Sequence, residues 1–472
     1  MFTPLNLAAI TAAAFLASFA PGRRPRNLGL LAASCLFYAA WDWRFLPLLF
    51  VSAGTDYLCA LGMRASSDDS VRKRLLLTSL AVNLSILGFF KYFNFFAAGL
   101  ADLLGTFGFH ASAPALDLVL PLGISFYTFR TLSYTLDVYS GRLEATDDFL
   151  DYALFVTFFP LIAAGPIVRA ADLLPQLSRA GGRRPGWAGE GLHLVFWGVF
   201  EKVFIADNLA RISGPVFSGG EAAGAAALAG VYAFAFQLYF DFDGYSNIAK
   251  GVCRLLGFDI ADNFRLPYLS SNAVEFWERW HISLSSWLRD YVFMPAAMAM
   301  RGFGNRSAAA AALLTFTLCG LWHGAAWTFV LWGAYHGALA AGYRLARPHL
   351  ALLPKPGGAA AAPLRRALAV LVFFHALCLG WVLFRAGSVS SAFSVLRALA
   401  SAGSAPAAGT FMKLAFFLAV PAAAQFWQAK RGDLMAVYRA PVPARAAFYF
   451  LCSCLLVIFG AKEAQEFIYF QF

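Results

Sequence analysis

Long apolar runs separated by short polar stretches fill almost the whole chain. Many runs reach about 18–20 residues, which at about 1.5 Å per residue match the hydrocarbon core of a bilayer. The pattern predicts an all-α, polytopic membrane protein of about 11–13 spans. The first span runs from Leu5 to Ala20. Others fall near 27–41, 44–62, 75–99, 118–139, 191–209, 224–241, 307–322, 326–343, 367–384, 411–428 and 446–461. Residues 149–166 carry Pro160 and Gly165-Pro166 and read as a re-entrant element. Ser18-Phe19-Ala20 resembles a leader cleavage site, but no basic residue precedes the first run and arginines follow it, so it reads as a span.

No heptads, no repeat of about 20–50 residues and no inverted repeat emerge. The stretches Gly357 to Pro363 and Ser401 to Gly409 read as loops. No polar region is large enough for a soluble domain, so residues 1–472 read as one membrane domain.

Composition agrees. The chain is 60% hydrophobic and 13% charged, against about 25% charged in soluble domains. The net charge of +11 comes from 37 Lys and Arg against 26 Asp and Glu. About half of the cations sit in five short stretches, 21–26, 64–74, 179–186, 344–366 and 430–445. Short basic loops stay in the cytoplasm, which puts both termini outside. No basic stripe interleaved with aromatics marks a nucleic-acid groove. The seven cysteines form no C-x-x-C and indicate neither zinc nor a disulfide framework; Cys452 and Cys454 read as small packing residues.

Of seven histidines, His110 and His349 fall in predicted loops, and His193, His336 and His375 read as packed structural groups. His323 differs. It stands in Cys319-Gly-Leu-Trp-His-Gly-Ala-Ala-Trp327, deep in an apolar stretch, where an ionisable group needs a partner or a cavity. Gly320 and Gly324 permit a turn between two helices or the close approach of a ligand. A neutral imidazole accepts a hydroxyl proton at pH 7; the competing reading is a histidine bonded across helices. His281 stands in Phe276-Trp-Glu-Arg-Trp-His-Ile-Ser-Leu-Ser-Ser-Trp-Leu-Arg-Asp-Tyr291. On one continuous helix Trp277, Trp280, Leu284 and Trp287 share a face, while Glu278, Arg279, Ser285 and Arg289 lie mostly elsewhere. Such a helix rests in the membrane interface with His281 at its polar edge. Asp241 and Asp243 in Tyr239-Phe-Asp-Phe-Asp-Gly-Tyr-Ser-Asn247 read either as a cation site or carboxylate pair, or as an end-of-span cluster bonded to Tyr245, Ser246 and Asn247. Arg130 and Asp137, Lys91, and Glu201–Lys202 read as structural. No nucleophile elbow, P-loop, dinucleotide fingerprint or H-E-x-x-H is present.

Three segments carry a resemblance: Phe264-Arg-Leu-Pro-Tyr268, the 276–291 segment, and Gly320-Leu-Trp-His-Gly-Ala-Ala-Trp327. Supporting stretches are Phe89–Asn94, Leu120–Tyr127, Ala164–Ile167, Tyr239–Asn247 and the terminal Phe467–Phe472. Together they resemble the membrane-bound O-acyltransferases, in the branch like the membrane subunit of alginate O-acetylation. One departure is Val292-Phe-Met-Pro-Ala-Ala-Met298, where relatives carry glycines.

The resemblance implies a helical bundle around a funnel and tunnel, with the active histidine at His323 and a second at His281. Trp322, Gly324, Asp241, Asp243 and Ser285 would line the tunnel or support the site. It implies acetyl transfer from cytoplasmic acetyl-CoA, with no tightly bound cofactor and no metal. The acceptor would be an exported polysaccharide such as alginate, reached through a periplasmic accessory acetyltransferase from the inner membrane. D-alanyl or peptidoglycan acyl transfer, a transporter or lipid flippase, and an export scaffold are the alternatives. The tail Phe467-Ile-Tyr-Phe-Gln-Phe472 is too aromatic for a solvated terminus. It reads either as an interfacial aromatic belt or as a segment folded back into the outer funnel, where Tyr469 relays the acyl group.

Overall fold

The computed structural model describes residues 4–109, 116–179, 183–219, 223–352, 361–401, 407–463 and 465–470. His110, the terminal pair 471–472 and parts of the two anticipated loops lie outside them. Among the described residues every regular element is helical. Six helical runs there are long and apolar enough to cross a membrane: Arg23–Ala65, Asp69–Thr106, Ala225–Leu256, Ala362–Arg385, Ala408–Arg431 and Val442–Phe459. On the last of these Val457 is 86% exposed and Phe450 73%. Apolar side chains turned outward from such helices suit lipid, not water.

The chain packs as two compact units. The first comprises Met1–Leu192 and Ala249–Ala261. Its helices are α1 (Pro4–Ala17), α2 (Arg23–Asp42), α3 (Leu46–Ala65), α4 (Asp69–Leu87), α5 (Phe93–Thr106), α6 (Ile124–Tyr139), α7 (Phe149–Thr157), α8 (Phe159–Ile162) and α9 (Ala170–Ser178). The segment read as re-entrant is a broken helix. The chain leaves helical geometry at Phe158 (φ −50°, ψ 106°), between α7 and α8. A break inside the buried protein frees carbonyls that need a donor. Arg130 meets that need from α6: it is fully buried and donates to Phe155 O and Val156 O at 3.0 Å and to Leu161 O at 2.9 Å. Asp137 pairs with Arg142 at 3.5 Å, so Arg130 and Asp137 have separate structural partners, in line with their structural reading. Lys91 donates to Ser125 Oγ at 3.2 Å.

The second unit comprises His193–Ile248 and Asp262–Phe472. The helix α10 (Trp187–Val199) is followed by a π-helical stretch, Phe200–Ala206, then α11 (Asp207–Phe217) and the 32-residue α12 (Ala225–Leu256). After these come α13 (Ala273–Trp277), α14 (Ile282–Leu288), α15 (Met294–Ala299), α16 (Ser307–His323), α17 (Trp327–Leu352), α18 (Ala362–Arg385), α19 (Val389–Ala400), α20 (Ala408–Arg431) and α21 (Val442–Phe459). The 224–241 run is thus half of a much longer helix, and α19 had no counterpart in the hydropathy pattern.

The α16–α17 hairpin is held backbone to backbone. A Cβ on Gly320 would fall 2.1 Å from Phe329 O, and one on Gly333 would fall 2.1 Å from Phe316 O. Small residues let helices approach this closely in membranes. The hairpin turns at Gly324, whose backbone is extended (φ −159°, ψ 149°). The expected turn beside His323 is therefore present, and it leaves His323 as the last residue of its helix.

Candidate active site

His323 closes α16 and is 5% exposed. Its ring packs against Trp322 at 4.9 Å, Trp332 at 5.0 Å and Phe384 at 5.4 Å between centroids. Gly324 makes the turn possible, because a Cβ there would fall 2.2 Å from the Phe329 ring.

His281 differs from its expected setting. The 276–291 segment is not one amphipathic helix, because α13 ends at Trp277, α14 begins at Ile282, and His281 between them is left-handed (φ 43°, ψ 54°). That conformation in a residue with a side chain costs on the order of 1–3 kcal/mol and is held by its surroundings. Trp277, Trp280, Leu284 and Trp287 are all buried, and His281 is fully buried. The tryptophans therefore pack inside the protein, where the pattern alone had put them at a lipid interface. Ser285 does not join the histidines: its hydroxyl donates to Trp280 O at 3.0 Å and its N–H to His281 O at 2.9 Å, closing the first turn of α14.

The two aspartates separate because two residues on a helix differ by about 200° in direction. Both lie mid-helix in α12, not at its end. Asp243 hydrogen bonds with Glu201 and Tyr239. Asp241 binds Lys202 Nζ at 2.7 Å and accepts the Ile468 N–H at 2.8 Å. Lys202 also reaches Asp207 at 2.8 Å and Gln465 O at 2.9 Å. The ammonium and one carboxylate thus grip the C-terminal tail at two backbone positions.

The gripped tail runs into the site. Phe467 stacks on Tyr245 at 4.7 Å, and Phe467 and Ile468 are buried, each contributing about 1.5–3 kcal/mol. Tyr469 lies 4.4 Å from Phe242, 5.5 Å from His323 and 6.3 Å from His281, between ring centroids. Trp322 touches both histidine rings, at 4.9 and 6.4 Å. Residues 467–469 therefore fold inward and do not form a surface belt. His323, His281, Trp322, Gly324, Asp241 and Tyr469 come together, while Asp243 and Ser285 point to other partners.

The model of the membrane-bound O-acyltransferase family matches residues 36–383. The chain belongs to this family. Among similar proteins, a probable alginate O-acetylase of Azotobacter vinelandii is 38% identical over 80% of this chain and 74% of its own length. The peptidoglycan O-acetyltransferase of Helicobacter pylori is 33% identical over 84% of this chain and 79% of its own. The teichoic acid D-alanyltransferase of Bacillus subtilis is 34% identical over 45% and 56%. The protein is thus a multi-pass membrane O-acyltransferase.

Sequence reasoning missed several residues of this acyltransferase's site. Lys202 had been read as structural; its partners Asp241 and Gln465 are remote in sequence. Phe242, Trp332 and Phe384 carried no signal beyond apolarity. Trp332 also packs on His336 at 4.9 Å, extending the aromatic layer behind His323. Two of the other helical histidines are hydrogen-bonded within the protein. His193 meets the Tyr449 hydroxyl at 2.9 Å, and His375 meets that of Tyr232 at 2.6 Å.

Proposed function

We propose that this acyltransferase takes an acetyl group from cytoplasmic acetyl-CoA, through a tunnel in the bundle, to the outer face of the inner membrane. There a periplasmic accessory acetyltransferase passes it to an exported, alginate-like polysaccharide. The observation that carries this reading is the Tyr469 ring beside both His323 and His281. A tyrosine whose ring packs beside two imidazoles is suited to carry an acyl group in transit.

In the first half-reaction the Tyr469 oxygen attacks the thioester carbonyl. His323 takes the hydroxyl proton as general base. The carbon–sulfur bond breaks, and the proton passes to the departing thiolate, giving free CoA and an acetyl-tyrosine ester. In the second, a hydroxyl of the partner or acceptor attacks that ester, and its proton ends on Tyr469. Phenolate, with a pKa near 10, leaves more readily than an alkoxide, so the ester is competent for onward transfer. The basic loops face the cytoplasm and both termini face outward in this scheme.

The similarity to a peptidoglycan O-acetyltransferase over 84% of the chain favours peptidoglycan as the second choice of acceptor. Purified protein in lipid vesicles, supplied with acetyl-CoA and the periplasmic partner, tests the proposal. Release of free CoA thiol with acetylated polymer is expected. His323→Ala should lower the rate by about 10²–10⁴ while inserting normally. No thiol release would indicate a flippase or scaffold, and acetylated peptidoglycan with unmodified polymer would change the acceptor.

A further inference from the structure

Asn263 lies just before the Phe264-Arg-Leu-Pro-Tyr268 motif and is buried. Its strand of chain runs beside the break that holds His281. Ile282 N–H donates to Asn263 O at 2.8 Å, and Arg265 N–H donates to Arg279 O at 2.9 Å. The Asn263 side chain then meets the imidazole, with Oδ1 at 3.2 Å from His281 Nδ1.

The orientation of that amide is decided by a group that can only donate. Ser283 N–H points at the same Asn263 atom at 3.2 Å, so the atom must be the oxygen. The amide nitrogen faces Ser246 Oγ at 3.2 Å. The Ser283 hydroxyl lies 2.9 Å from Asn263 Oδ1 and 3.5 Å from His281 Nδ1. The shorter contact takes its proton. Nδ1 therefore faces a carbonyl oxygen at close range, and only a protonated Nδ1 makes that contact attractive. In a neutral imidazole the proton on one nitrogen leaves a lone pair on the other. Nε2 is buried and has no hydrogen-bond partner among the described residues. The ring that carries it packs against Phe242 at 4.6 Å, Tyr469 at 6.3 Å and Trp322 at 6.4 Å.

We infer that Asn263 is a positioning residue that locks His281 as the Nδ1–H tautomer, so that His281 offers the reaction a lone pair and not an N–H. The inference rests on the acyl-transfer reading of this site and sharpens it. A neutral His281 held this way accepts a hydrogen bond from a hydroxyl or thiol. It does not donate to the oxyanion of a tetrahedral intermediate. The left-handed backbone at His281 serves the same end by aiming Nδ1 at Asn263.

Two measurements test it. The first is nitrogen NMR of full-length protein in nanodiscs, with the histidines labelled in both ring nitrogens. The His281 signals are identified by their loss in His281→Gln. Protonated Nδ1 and bare Nε2 are expected, unchanged in Ser283→Ala, because Asn263 is the partner that matters. A protonated Nε2, or a tautomer that reverses in Ser283→Ala, overturns the inference whatever the protein's substrate proves to be. The second is steady-state thioester turnover. Asn263→Leu should lower kcat by about tenfold or more with KM for acetyl-CoA little changed. Asn263→Asp, which keeps an acceptor for Nδ1–H, should recover most of the loss. A folded Asn263→Leu protein with normal kcat, or an Asp variant no better than Leu, contradicts the role. If the Leu variant does not insert, the comparison of Asn263→Asp with Asn263→Ser, which cannot reach Nδ1, makes the same test.

Discussion

The backbone N–H of Ile468 donates to the carboxylate of Asp241 at 2.8 Å, joining positions 227 residues apart. That bond sets where the C-terminal tail enters the site. Lys202 completes the grip, holding Asp241, Asp207 and Gln465 O with one ammonium. Asp241 and Asp207 are buried carboxylates, which are costly unless paired, and the half-buried Lys202 ammonium supplies the opposite charge for both.

Lys202→Met should therefore be much worse than Asp241→Asn. The first leaves two buried carboxylates without their cation, a loss of about 3–5 kcal/mol. The second keeps an oxygen for the Ile468 N–H and leaves Lys202 paired with Asp207. Thermal unfolding in detergent should give that order, and limited proteolysis should cleave the tail faster in Lys202→Met. Equal effects would show that the grip is not what holds the tail.

At the α16–α17 hairpin, Gly320→Ala should destabilise more than Gly324→Ala. The added methyl at 320 meets the Phe329 carbonyl, which is fixed by its helix, whereas at 324 it meets the Phe329 ring, which can swing. Overpacking costs about 1–3 kcal/mol, with Gly320→Ala at the upper end. Gly324→Ala, by moving the ring next to the turn, should lower turnover more than stability. Unfolding midpoints and turnover measured on the same preparations check both.

The sequence shows some of this directly and hides the rest for physical reasons. His323 was legible because an ionisable group between glycines in an apolar run has few explanations, and the turn at Gly324 followed. The tail was legible only in part: Phe467 and Tyr469 are wrong for a solvated end, but a surface belt and an inward fold fit that pattern equally, and only the Asp241 and Lys202 contacts decide between them. His281 was misread because Trp277, Trp280, Leu284 and Trp287 fit a helical period, and periodicity cannot report a break at one left-handed residue. The pairing of Asp241 was invisible, since its partners are a backbone N–H and a lysine on other elements. Asn263 likewise acts through an oxygen whose direction only the fold sets.

In the first unit, Arg130→Met should lower the unfolding midpoint sharply. It strips three buried carbonyls of their donor at the α7–α8 break, and each orphaned group costs about 1–3 kcal/mol. Protein that remains folded should keep normal turnover per active molecule, because Arg130 serves the break alone. An unchanged midpoint would mean that water or another group satisfies the break.

The most direct measurement concerns Tyr469 itself. Purified protein is mixed with labelled acetyl-CoA in the absence of partner and acceptor, quenched in acid, and its C-terminal peptide weighed by mass spectrometry. The relay predicts an alkali-labile acetyl ester on Tyr469, absent in Tyr469→Phe and in His323→Ala and discharged when the partner is added. Full polymer acetylation by the Tyr469→Phe protein, with no ester on the wild-type tail, would contradict it.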